Sequence, residues 1–236
     1  MSVFPPPAAQ LRLGDERGFA SVQAAAAAAP LNEIRPAAPG DAPAALGFAL
    51  AWALSACPTG LIVLAASELC FAETGWPHAE GLAHYGAAFE RLMLVRARKQ
   101  NDALWASEEA LRIPNAFVLC LTAPEPKSLS LTATRRLLLA AERHGTRCLL
   151  ARFDTLTPSA AWTRWAIAAA PSRSAAHELG APAFRAELER HRTGPAGFSW
   201  DIEWHAHARA FHERTLAGAL VAASGDRPAP SRRLSA

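Results

Sequence analysis

Two short apolar runs, Leu61-Ile-Val-Leu64 and Ala116-Phe-Val-Leu-Cys-Leu121, constrain this chain more than anything else in it. Each is uninterrupted by charge and rich in β-branched or bulky aliphatic residues. Each is too short for a buried helix, so both read as strands covered on both faces. Leu31 to Arg35, Leu92 to Arg96 and Arg147 to Arg152 read as further strands. Between them lie stretches with helical spacing: Asp41 to about Ala56, Asp102 to Arg112, and Leu129 to His144, the last stopped by Gly145. Strands alternating with helices of this length give a mostly parallel sheet with helices on both sides.

The last third follows another rule. Phe184 to His191 and Ser199 to His205 alternate with period two across Gly194-Pro-Ala-Gly197, an antiparallel hairpin. Trp200, Ile202 and Trp204 take one face, which is expected to pack on the parallel sheet, with Asp201 and Glu203 on the other. Trp162 to Ala169 reads as an edge strand. Residues 67 to 90, punctuated by Gly75, Pro77, Gly81 and Gly86, read as irregular. The chain therefore divides into a poorly ordered segment over 1–30, whose Ala-rich part has little to bury, an α/β domain over 31–205 with its hairpin at 183–205, and a weak helix followed by a disordered tail over 206–236.

Charge excludes little. A net +3 argues against a surface that wraps nucleic acid, though a local arginine patch remains available. Cys57, Cys70, Cys120 and Cys148 form no Cys-x-x-Cys pair, which predicts neither a zinc site nor a disulfide framework. Cys148 lacks a recognisable base, and there is no Gly-x-Ser-x-Gly elbow. The apolar stretch from Leu46 to Ala66 is cut by Cys57-Pro-Thr-Gly60, so it is expected to be buried within the domain instead of in a membrane. With no signal-like start, the expected location is the cytoplasm.

In a sheet of this kind the first strand-to-helix turn is the natural phosphate cradle. Here it reads Pro36-Ala-Ala-Pro39-Gly40-Asp41-Ala42-Pro43. The only lysines are Lys99 and Lys127, and no Ser or Thr occurs from Arg35 to Leu54. The lysine and magnesium-binding hydroxyl of a working phosphate loop are thus both missing. Asp41 would offer the helix-start N–H groups an internal partner in place of a phosphate. Pro39, Gly40 and Asp41 are therefore vestiges, and no cofactor, metal or catalytic residue is expected. Glu68, at the end of a strand, stands where a water-activating carboxylate would serve a nucleotide, and without that nucleotide it is a solvated acid. Glu125 is similarly displaced from a metal-holding position.

Basic residues supply the remaining candidates for contact with DNA or a partner. Arg96, Arg98 and Lys99 follow a strand; Arg135, Arg136 and Arg143 share one helix with Glu142; Arg164 sits between Trp162 and Trp165. A solvated face is the ordinary reading of such clusters. His205 and His207 share one side of a strand near His212, without a third ligand at metal spacing.

The segments Arg91-Leu-Met-Leu-Val-Arg-Ala-Arg98, Ala103-Leu-Trp-Ala-Ser-Glu-Glu-Ala-Leu111, Leu129-Ser-Leu-Thr-Ala-Thr-Arg-Arg-Leu137, Pro158-Ser-Ala-Ala-Trp-Thr-Arg-Trp165, Phe184-Arg-Ala-Glu-Leu-Glu-Arg190 and Ser199-Trp-Asp-Ile-Glu-Trp204 resemble the ImuA family, over residues 31 to 205. That resemblance implies a RecA-like α/β fold and a non-catalytic adaptor role in SOS-induced, error-prone translesion DNA synthesis. It also implies contact with RecA and an ImuB-type polymerase homologue, indirect contact with an error-prone replicative-type polymerase, and single-stranded DNA as a further partner. The alternatives are a RecA-like ATPase whose nucleotide site is completed by a neighbouring subunit, and a cell-division inhibitor of the SulA type.

Overall fold

A computed structural model describes residues 18–123, 129–153, 157–172 and 180–214. These form a nine-stranded sheet in the order β3-β2-β4-β5-β1-β6-β7-β8-β9. The strands are β1 (Leu31–Pro36), β2 (Ile62–Ser67), β3 (Leu92–Ala97), β4 (Phe117–Thr122), β5 (Arg147–Arg152), β6 (Thr163–Ala169), β7 (Ala183–His191), β8 (Phe198–His205) and β9 (Ala210–Glu213). β1 to β6 are parallel, and β7 to β9 continue the same sheet antiparallel. The helices are α1 (Phe19–Ala27), α2 (Ala42–Ala56), α3 (Glu68–Thr74), α4 (Ala79–His84), α5 (Gln100–Ala110) and α6 (Leu131–His144). The mostly parallel sheet flanked by helices, with antiparallel strands at its C-terminal side, is the architecture expected from the alternation of elements.

The connections explain which helix lies on which face. From β1 to β2 and on to β3 the chain moves one way along the sheet; from β3 through β4 and β5 to β6 it moves back. Right-handed crossovers in opposite directions fall on opposite faces. Accordingly α2 and α3 pack on one face, where Phe48, Trp52, Leu54, Cys70 and Phe71 are buried. On the other face, α5 and α6 bury Leu104, Leu111, Leu137 and Leu138 against Val63, Val118, Cys120 and Leu150. Gly145 ends α6 at φ +66°, the left-handed cap that glycine favours. At Gly60 a Cβ would stand 1.8 Å from the Asn115 carbonyl oxygen, so only glycine fits where the turn before β2 passes the entry to β4.

Several expectations are corrected. Residues 67–90 carry α3 and α4, and Ser67 caps α3 by accepting the Cys70 amide at 3.2 Å. β6 is interior, lying between β1 and β7. The hairpin β7–β8 does not pack on the parallel sheet but extends it edge to edge. Its apolar face, with Ile202 and Trp204 buried, is closed by α1 and α2.

At the start of the described chain, α1 is no idle alanine run. Phe19 and Val22 are buried, and the Phe19 ring meets Phe48, Trp165, Trp200 and Phe211 at centroid distances of 5.4–6.3 Å. The expectation that this stretch has little to bury fails because its partners are contributed by distant strands. The weak helix expected from 206 is instead a turn and β9. The predicted tail beyond 214, and Glu125, lie outside the described residues.

Candidate functional site: the carboxyl edge of the parallel sheet

β1 is central, and its last residues deliver the chain to the turn before α2. Ala37 N–H donates to the Ile167 carbonyl at 2.8 Å, which ties the turn to β6. A single 3-10 turn, Pro39–Asp41, follows. Asp41 does not cap α2 with its side chain, contrary to expectation. Its Oδ2 accepts the Ala38 amide at 3.1 Å, and its Oδ1 accepts the Ala169 amide at 2.9 Å. The carboxylate thus faces the end of β6 and stitches the turn shut from outside. A Cβ on Gly40 would meet nothing within 4 Å, so no backbone or side chain presses on the turn there. Pro39, Gly40 and Asp41 present neither a cationic side chain nor a hydroxyl at the place where a phosphate loop needs both.

Glu68 opens α3, three positions along the sheet from β1. Its carboxylate lies 3.6 Å from the Arg96 guanidinium, which also stands 5.9 Å from the centre of the Trp76 ring. Both charged side chains are more than half exposed, so this pair contributes little to stability. The structure therefore does not bring Glu68 to the turn after β1. Arg98 and Lys99 follow β3, exposed, and have no ion pair among the described residues. Arg136 bonds to Glu108 at 2.6 Å and so links α6 to α5, while Arg135 and Arg143 are exposed on α6. The two basic clusters remain separate, with α5 between them.

Arg164 belongs to neither cluster, and the reading of it as a surface contact is corrected. It sits opposite Glu33 in the β1–β6 register and its Nε donates to the Glu33 carboxylate, which is fully buried. Arg152, also buried, lies 3.6 Å from the other Glu33 oxygen and donates to the Thr157 carbonyl at 2.8 Å. Thr157 in turn donates from its hydroxyl to the Leu129 carbonyl at 3.1 Å. Arg190 completes the group from β7, donating to the Ala161 carbonyl at 2.7 Å. Burial, followed by the nearby Arg164 charge, pulls the Arg190 pKa below its ordinary value. This network holds β1, β5, β6 and β7 in register on the face not covered by α1 and α2.

A second buried polar contact was equally unannounced by the sequence. Gln100 accepts the Ala123 amide at 2.9 Å and donates to the Leu121 carbonyl at 3.2 Å, a side-chain clamp on the end of β4. The visible signal for the first network was a carboxylate inside an otherwise apolar strand; for Gln100 there was none.

Other candidates carry no chemistry. Burial pushes the Cys70 thiol up to about 11 and the Cys120 thiol up to about 12, away from the thiolate a nucleophile needs. The His205 and His212 rings lie 4.3 Å apart, yet no group of three metal-ligating side chains exists among the described residues. No helix among them is long and apolar enough to cross a membrane.

Comparison with known proteins gives one informative likeness. The chain is 33% identical to Protein ImuA of two strains of Caulobacter vibrioides over 156 aligned positions, which cover 61% of this chain and 62% of the relative. The chain thus spans about three fifths of the length of the curated relatives it matches. No protein-family model matches. Among solved structures, the RadB recombinase is similar at a TM-score of 0.48 and 16% identity, covering 78% of this chain and 90% of that one. SulA from Pseudomonas aeruginosa is similar at a TM-score of 0.40 and 24% identity, covering 52% of this chain and 96% of that one.

Proposed function

We propose that this chain, whose match to the Caulobacter proteins supports its assignment to the ImuA family, is a RecA-like protein of the SOS response that works as a non-catalytic adaptor. In this reading it joins RecA and an ImuB-type polymerase homologue during error-prone translesion synthesis, and it acts by presenting surfaces and not by turnover.

The observation that carries the reading is the state of the turn after β1. A motor built on such a sheet must hold nucleotide phosphates there with a lysine, a hydroxyl and a ring of backbone donors. Here two prolines remove donors, Asp41 contributes negative charge, and its oxygens are engaged by Ala38 and Ala169. A triphosphate approaching this turn meets a carboxylate and no cation. The exposed cations Arg98, Lys99, Arg135 and Arg143 lie elsewhere on the surface, where they suit an acidic partner or a DNA backbone.

Deletion of the gene tests the adaptor role: damage-induced mutation frequency falls while undamaged growth is unchanged. The purified chain, mixed with the purified polymerase homologue, forms a complex without added nucleotide. Unchanged mutation frequency after deletion contradicts the reading, and filamentation on overexpression favours a division inhibitor instead.

A further inference from the structure

The two edges of the sheet are finished differently. At β9, α1 lies alongside, Phe211 joins the aromatic group and the Glu213 carboxylate accepts the Phe19 amide. At the opposite edge, β3 pairs with β2 from Leu92 to Ala97 and packs on α5. Among the described residues its other side forms no further backbone hydrogen bond.

Edge strands ordinarily carry a charge, a proline or a bulge at their centre that discourages pairing with another chain. Leu92-Met93-Leu94-Val95 has none of these, and its register with β2 is unbroken. Met93 is 46% exposed and Leu94 44%. They point to opposite faces, since they lie beside Val63 and Leu64, which belong to opposite cores. Phe89 extends the apolar strip at one end, and Trp76, beside Arg96, extends it at the other.

We propose that this edge is an interface between two copies of the chain, whose β3 strands pair antiparallel about a two-fold axis through Leu94. The edge is its own complement in that register. Leu94 meets Leu94, Met93 meets the second copy's Val95, and Glu90 meets Arg98 twice over, once on each side of the axis. Directly opposed residues share a face in an antiparallel pair, so each face of one sheet continues into the like face of the other. Arg96, already engaged by Glu68, falls opposite Leu92, and Lys99 falls opposite the exposed Phe89 ring, which can accept a cation. A foreign strand would have to match the apolar centre and the opposite charges at both ends; a second copy does so through the two-fold alone.

Light scattering over a range of concentrations, with the full chain, tests this. The chain is expected to be a dimer that dissociates on dilution. Glu90→Arg or Arg98→Glu each weaken it by about tenfold or more, because either change opposes like charges on both sides of the axis. The double variant E90R/R98E restores it, which separates a specific register from general damage. Leu94→Cys adds a second readout: the native cysteines are buried, so mild oxidation links two copies through position 94. The same change at exposed Leu131 gives no such link. A monomer at every concentration, a dimer indifferent to the charge changes, or a link through position 131 but not 94 overturns the proposal. None of these outcomes bears on nucleotide binding, so the proposal stands or falls separately from the adaptor reading.

Discussion

Asp41 and Ala169 are joined across the carboxyl edge of the sheet: the Asp41 Oδ1 accepts the Ala169 amide at 2.9 Å, so the turn after β1 is fastened to the end of β6. The same carboxylate holds the Ala38 amide at 3.1 Å. In this protein the acid at the head of α2 serves to close a turn, and the place where phosphate chemistry would occur is occupied by a structural bond.

Asp41→Ala removes both bonds from a largely exposed position, so a loss of about 1 kcal/mol is expected. Denaturant unfolding gives the stability change, and hydrogen exchange should accelerate at the Ala169 amide first. Unchanged exchange there would show that the stitch does not form in solution.

Glu33 is the most costly charged side chain to remove. It is fully buried between Arg164 and Arg152, and Glu33→Ala deprives two guanidiniums of the carboxylate they share. Breaking a buried pair in this way costs about 3–5 kcal/mol, with Glu33→Gln milder because the amide oxygen still accepts one bond. Urea midpoints for the two variants in parallel give the ranking.

Phe19→Ala empties the centre of the aromatic group that closes α1 over Trp165, Trp200 and Phe211. The expected loss is about 3–5 kcal/mol. Limited proteolysis should show α1 and β9 becoming sensitive together, since Phe19 and Glu213 bind the two to each other.

His191 sets a mild pH dependence. Burial holds its pKa below the ordinary 6.5, and its Nδ1 accepts the Thr193 amide at 3.3 Å, which requires that nitrogen to be unprotonated. The folded state thus binds the proton less readily than the unfolded chain. The stabilising contribution is complete above pH 6.5 and is lost as pH falls through the lower folded-state value. Melting temperatures across that window should fall more steeply for the native chain than for His191→Gln.

The central sheet was legible because a strand covered on both faces must be apolar throughout, and β2 and β4 show it in six consecutive buried residues each. The emptied phosphate turn was legible too, since a missing lysine and hydroxyl need no alignment to be seen. α1 was not, because its one large anchor, Phe19, finds its partners in strands far along the chain. β9 is four residues long and half polar, too short to show a period. Arg164 looked like a surface charge between two tryptophans. Only the register of β1 against β6 reveals that its partner is Glu33, 131 residues earlier.

Calorimetric titration of the purified full chain with magnesium-ATP tests the account most directly. It predicts no saturable heat, both for the native chain and for Asp41→Ala, since removing the acid still leaves no lysine or hydroxyl in the turn. Saturable micromolar binding that is abolished by changes within residues 36–43, or hydrolysis that appears when the polymerase homologue is added, would contradict it and make the chain a nucleotide-using protein.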